Sequence, residues 1–187
     1  MKTSYLFLAE GFEITEALAT IDVMRRAGMS VNTVSINATR EVTSAQGVTA
    51  LADTVIADIN PTPADTEWLI CPGGMPGAVN LYECPKVAEL LATQYAAGGR
   101  VAAICASPAV VFAPLGFLEN RRATCYPGME GLVNSRGTMM TGDGVVKDGN
   151  VITGRGPGYT FAFGLAIVAE TLGQEAADTV AAGMLLK

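Results

Sequence analysis

Three short stretches carry residue types able to do chemistry, and each lies where an apolar run gives way to another pattern. The first is Ile104-Cys105-Ala106-Ser107-Pro108, a cysteine at a tight passage from an apolar run into a helix start. A nucleophile elbow is built this way: the thiol stands above a sheet, and the next backbone N–H, that of Ala106, faces the same space. A helix N-terminus beneath such a thiol favours thiolate, so its pKa is expected to fall. The second stretch is Pro72-Gly73-Gly74-Met75-Pro76-Gly77. Adjacent glycines expose N–H groups with no side chain in the way, which suits an oxyanion pocket or an anion nest. No Lys-Ser or Lys-Thr follows, so this is not a nucleotide P-loop. The third stretch, Glu10 to Glu16, places Glu13 and Glu16 three apart, on one face of an opening helical turn. Glu13 fits either a functional role or simple compensation of the helix dipole. Glu16 lies among apolar neighbours, where burial favours the protonated carboxyl and lets it donate a hydrogen bond.

The elements that position these residues alternate. Thr3–Ala9 is a short apolar strand, and Glu13–Ala27 has helical spacing at Ile14, Leu18 and Ile21, closed by Gly28. Val31–Ile36 alternates as a strand does. Residues 40–52 hold two short β-like pieces about Gln46-Gly47, a hairpin or a pair of edge strands. Trp68–Cys71 is a buried strand, Lys86–Ala97 a helix, and Val101–Ile104 a fully apolar strand with a short helix from Ser107. Lys147-Asp148-Gly149-Asn150 turns between two β-like runs. A helix over Tyr159–Leu172 stops at Gly173, and a last short helix follows. Strands that alternate with helices and are apolar on both faces specify a mostly parallel sheet with helices on both sides. In such a sheet ligands bind beyond the carboxyl ends of the strands, where all three chemical stretches fall. With no repeat or linker in the chain, residues 1–187 are expected to form a single α/β domain.

Composition removes many alternatives. The 187 residues are 50% hydrophobic and 16% charged, which excludes intrinsic disorder. A net charge of −6 argues against nucleic acid as a partner. There is no histidine, so a Ser-His-Asp triad, a Cys-His protease or amidotransferase and nearly every zinc enzyme site are ruled out. No metal or other cofactor is expected. Cysteines 71, 84, 105 and 125 contain no C-x-x-C, and the N-terminus lacks a signal-peptide pattern, so free thiols in a reducing cytoplasm are expected. Val101–Leu118 carries no charge, but Ser107, Pro108, Pro114 and Gly116 interrupt it, and no membrane span is expected. Cys71 and Cys84 fit buried small hydrophobes, and Cys125 fits a strand core residue or a second thiol beside the pocket.

Glu16, Pro72-Gly73-Gly74 and Ala103-Ile104-Cys105-Ala106, taken together, resemble the ThiJ/PfpI superfamily. Within it they are most similar to the branch of the Parkinsonism-associated deglycase and its bacterial YajL-like relatives. Asp22-Val23-Met24-Arg25-Arg26-Ala27-Gly28 and Gly154-Arg155-Gly156-Pro157-Gly158 agree, so the resemblance spans most of the chain. It implies a flavodoxin-like three-layer α/β/α sandwich and a homodimer. It also implies a nucleophilic, oxidation-prone Cys105 hydrogen-bonded to a protonated Glu16, with oxyanion-binding amides at Gly74 and Ala106. Gly73, Tyr126, Pro157, Gly158 and Glu13 complete the expected pocket, with the Gly156-Pro157-Gly158 loop reaching it from the partner subunit. Where many members carry a histidine before a proline, this chain has Tyr126-Pro127, a poor base at neutral pH, which argues against protease activity.

Two functions follow from the resemblance. One is an enzyme acting on α-oxoaldehydes, free or as early adducts on protein side chains: a glyoxalase that makes lactate from methylglyoxal, or a deglycase. Cys105 would be its nucleophile and Glu16 its proton shuttle. The other is an oxidative-stress sensor or redox-regulated chaperone working through oxidation of Cys105. A flavodoxin-like flavin module is disfavoured, because Glu10-Gly11-Phe12-Glu13 puts carboxylates where a phosphate loop would be needed.

Overall fold

The computed structural model describes residues 2–134 and 136–186. Strand β1 (Thr3–Leu8) leads through a short turn into α1 (Ile14–Arg26), and Gly28 at φ +76 supplies the left-handed stop. Then follow β2 (Val31–Ser35), β3 (Glu41–Thr43), β4 (Thr49–Leu51), β5 (Thr54–Val55) and β6 (Thr66–Cys71). Helices α2 (Gly77–Glu83) and α3 (Pro85–Ala96) precede β7 (Arg100–Ile104). The chain continues through β8 (Arg122–Ala123), β9 (Met139–Met140), β10 (Val145–Asp148) and β11 (Val151–Gly154) to α4 (Thr160–Leu172) and α5 (Gln174–Gly183).

The main sheet has seven strands in the order β10-β11-β7-β6-β1-β2-β5, parallel except for the edge pair β10–β11. Side chains alternate across it, which is why its strands read as continuous apolar runs. Leu6, Leu8, Ile70, Ile104 and Ile152 point to one face and pack with Ile21 and Met24 of α1 and Phe163 and Ile167 of α4. Phe7, Leu69, Val101 and Ala103 point to the other, against Leu81 of α2, Val87 and Leu91 of α3, and Phe112. The fold is the expected α/β sandwich. The pieces about Gln46-Gly47 do form a hairpin, β3–β4, separate from the main sheet.

Several local elements differ from expectation. After Ser107 the chain forms not an α-helix but a π-type turn, Pro108–Phe112, in which Ala113 N–H donates to Pro108 C=O five residues back. Helix α2 and the two-residue strands β5, β8 and β9 have no counterpart in the sequence pattern, being too short to show a period. Cys125 is buried, but in a loop after β8 rather than in a strand, and Cys84 is only half-buried, at the junction of α2 and α3. Among the described residues no helix is long and apolar enough to cross a membrane.

Candidate active site

The ends of β1, β6 and β7 lie side by side at one edge of the sheet, and the turns that follow them pack together. Cys105 comes directly after β7 with φ +66, a left-handed conformation that costs a residue bearing a Cβ about 1–2 kcal/mol. Two hydrogen bonds hold it: Cys105 N–H donates to Gly154 C=O at 2.9 Å, and Tyr126 N–H donates to Cys105 C=O at 2.8 Å. The elbow anticipated from sequence is therefore present as backbone geometry. Ser107 Oγ ties it to the neighbouring turn by donating to Pro72 C=O at 2.5 Å.

Glu13 is not inside the helix, as its spacing from Glu16 had suggested, but is the residue that caps α1. Its Oε2 accepts from Glu16 N–H at 2.7 Å, satisfying one of the unpaired donors of the first turn. Glu16 sits one turn in and is fully buried. Its Oε2 accepts from Gly73 N–H at 2.8 Å, and its carboxyl also interacts with the Cys105 thiol. Gly73 is required here by contact. A Cβ on it would stand 2.6 Å from both Cys105 Cβ and Glu16 Oε2. Gly74, at φ +93, packs so closely on the first turn that a Cβ would come within 2.4 Å of Glu13 N and Gly11 O.

The electrostatics of the pair depend on where its proton sits. Burial pushes the Glu16 carboxyl up to about 7, against the hydrogen bonds from Cys105 and Gly73 that pull it down. The expected fall in the Cys105 pKa is not what the structure gives. Burial pushes the thiol up to about 12, the Glu16 carboxylate acts in the same direction, and the Ala106 and Gly74 amides pull the other way. The chain after Cys105 offers one π-type turn rather than an α-helix with its dipole, so burial wins. The Glu16 contribution reverses once Glu16 holds the proton: the charge is gone and a carboxyl O–H can donate to sulfur. The two groups thus form a coupled carboxyl–thiol pair, with two amides beside the sulfur.

Above the thiol opens a cavity of about 480 Å³. Of the residues picked out from sequence, Cys105, Ala106, Gly74, Glu13, Tyr126 and Pro157 line it. Glu16 and Gly73 stand behind its wall, joined to each other. Gly158 does not face it but an adjoining groove of about 170 Å³ on the far side of Tyr126 and Pro157. Pro157 lines the cavity of its own chain. Gln46, Met75, Pro127, Gly128 and Met129 complete the wall and were not foreseen. Gln46 is fixed there because its Oε1 accepts from Ile14 N–H at 3.2 Å, which brings the tip of the β3–β4 hairpin to the start of α1. Cys125 lies under Tyr126, its thiol pushed up to about 11, by burial first and by Glu130 second. Among the described residues no cluster of three or more His, Cys, Asp or Glu could hold a metal ion.

The DJ-1/PfpI family profile matches residues 2–170. The chain belongs to the DJ-1/PfpI family. Among its DJ-1 relatives, protein dj-1beta of Drosophila melanogaster is 36% identical over 185 residues, covering 99% of this chain and 97% of that one. The glutathione-independent glyoxalase DJR-1.2 of Caenorhabditis elegans is 36% identical over 171 residues, covering 91% and 89%. The crystal structure of a cysteine-to-alanine mutant of a DJ-1 superfamily protein from Salmonella typhimurium superposes with a TM-score of 0.93 at 30% identity, covering 100% of both chains. The fold is that of the DJ-1 superfamily, consistent with the flavodoxin-like architecture.

Proposed function

We propose that this DJ-1/PfpI chain is a cofactor-independent, cysteine-dependent enzyme for α-oxoaldehydes, converting methylglyoxal and water to lactate, with removal of early aldehyde adducts from protein side chains as the related activity. The observation that carries the reading is the Glu16 carboxyl, poised at about 7 between Gly73 N–H and the Cys105 thiol, beneath a cavity with the Gly74 and Ala106 amides beside the sulfur. The relative named as a glutathione-independent glyoxalase supports the same chemistry. Glu16 takes the thiol proton as sulfur adds to the aldehyde carbon. The new alkoxide is held by the Gly74 and Ala106 amides and is then protonated to a hemithioacetal. Glu16 next removes the hydrogen from that carbon and returns a proton to the adjacent one, leaving a lactoyl thioester on Cys105. Water cleaves this thioester, releasing lactate and the free thiol. The test is lactate release from methylglyoxal by the reduced protein. Cys105→Ala and Glu16→Gln are each expected to lower it by about 100-fold or more, and wild-type turnover in either variant overturns the role given to that residue.

A second reading, thiol oxidation as a stress signal, draws support from the same amides and carboxyl, which would hydrogen-bond a sulfinate as well as an alkoxide. A reduced protein without lactate release, in which peroxide modifies Cys105 ahead of Cys71 and Cys84, would select it. In either case we place the protein in the cytoplasm as a homodimer. Exposed Leu18 on α1, together with Val48 and Leu51 on the β3–β4 hairpin, supports a self-association face.

A further inference from the structure

The Cys105 cavity is asymmetric in charge. Among the described residues that line it, Glu13 carries the one carboxyl and there is no Lys or Arg; the others are Gln46, Tyr126, two methionines, two prolines, small residues and the thiol itself. Glu13 is fixed rather than free to swing away, because its Oε2 is bonded to Glu16 N–H. A second carboxylate, that of Glu130, does not line the cavity, but its Oε2 accepts from the N–H of Gly128, which does, at 2.7 Å. Arg155 lines not this cavity but the adjoining groove that it shares with Tyr126 and Pro157, and its Nη1 donates to Gly142 C=O. The cavity is also larger than a three-carbon aldehyde needs, since about 480 Å³ corresponds to on the order of fifteen waters. Size therefore does little to select among small electrophiles, and charge is left to do so.

We infer that Glu13 makes this cavity a filter for charge: it admits neutral and cationic electrophiles and turns away those bearing a carboxylate or phosphate. Resting on the function proposed above, the carbonyl substrates are then uncharged or cationic α-oxoaldehydes. Like charges a few ångströms apart in a partly screened cleft repel strongly enough to change a rate by about tenfold. The Gly74 and Ala106 amides do not cancel this, because they lie at the sulfur, where charge develops during reaction. The Glu13 carboxylate lies on the cavity wall, where it meets a substrate that is already charged before reaction.

Two matched pairs of probes test the filter. The first pair, phenylglyoxal and 4-carboxyphenylglyoxal, is compared by kcat/KM in wild type and Glu13→Gln. The expected neutral-over-anionic preference is about tenfold in wild type, and it shrinks in the variant and in high salt. Glutamine keeps an oxygen to cap α1, so the ratio reports charge rather than the helix start. The second pair, iodoacetamide and iodoacetate, needs no turnover: Cys105 sulfur bonds to the CH₂ carbon, iodide leaves, and the thiol proton passes to solvent. Mass spectrometry then gives the two rates at Cys105. The same loss of preference in Glu13→Gln is expected. If phenylglyoxal is not converted while the alkylation preference depends on Glu13 and on salt, the enzymatic reading fails and the filter stands. An alkylation ratio equal in wild type and Glu13→Gln, or unmoved by salt, overturns the filter whatever the turnover.

Discussion

The neighbouring strands β6 and β7 run parallel with Cys71 opposite Ala103, and each ends beside a cysteine. Cys71 is the last residue of β6 and is fully buried with Leu69, Val101 and Phe112 on the α2–α3 side of the sheet. Cys105 lies two residues beyond Ala103, so a β7 that simply continued would point it to that same side. It does not. The turn to φ +66 moves its side chain to the opposite cluster, with Phe12 and Ile104, beside the buried face of α1 that carries Glu16. Burial raises the pKa of both thiols, but only Cys105 has a carboxyl and two amides as neighbours. What separates a packing cysteine from a candidate nucleophile here is one backbone angle and the company it brings, not the composition of the strand before it.

The largest test of that contrast removes the turn the elbow rests on. Gly74→Ala places a Cβ against Glu13 N and Gly11 O at a positive φ. It is expected to cost about 3 kcal/mol or more in a denaturant melt and to abolish lactate release. Next in size is reactivity. In the native protein iodoacetamide should modify Cys105 at least about 100-fold faster than Cys71, which is reached only through opening of the core. Equal rates by mass spectrometry would erase the distinction between the two strand ends.

A third expectation concerns stability against pH. The Glu16 carboxyl is raised from 4.5 to about 7 on folding, so across that window the folded chain holds the extra proton. Stability from this group is fully present below the lower value, declines as pH rises through the window, and levels off above it, for a total on the order of 3 kcal/mol. Glu16→Gln should flatten that decline, gaining about 2–3 kcal/mol on wild type between about pH 5 and about pH 8 in urea titrations. Parallel curves would mean that the carboxyl is not held protonated by burial. The smallest effect belongs to Cys71→Ala: about 1 kcal/mol of stability from the small cavity, with lactate release within about twofold of wild type.

The parts legible in the sequence were those with a period or a steric necessity. Phe7, Ile70 and Val101 announce buried parallel strands, and Gly73-Gly74 announces a turn with exposed amides. The apolar neighbours of Glu16 in the helical pattern were enough to anticipate a buried, protonation-prone carboxyl. The cavity wall was less accessible, because Gln46, Met75 and Pro127–Met129 arrive on turns whose approach is fixed by single contacts, such as Gln46 to Ile14 N–H. The direction of the Cys105 pKa was misjudged for a related reason. The sequence shows a helix-like start at Ser107, but not that burial and a facing carboxyl outweigh it. Tyr126 was found by its place before Pro127. Its backbone role, donating to Cys105 C=O, is invisible to any side-chain pattern.

The two main-chain hydrogen bonds at Cys105 have a further meaning. Because Gly154 and Tyr126 grip the peptide groups and not the thiol, the socket is specified without reference to what side chain fills it. Left to stability alone, position 105 would prefer glycine, which takes this conformation without the penalty a Cβ incurs. A cysteine there is a residue the scaffold tolerates rather than requests, so the surrounding fold must be robust enough to carry it, and serine or alanine can stand in the same place without redrawing the backbone.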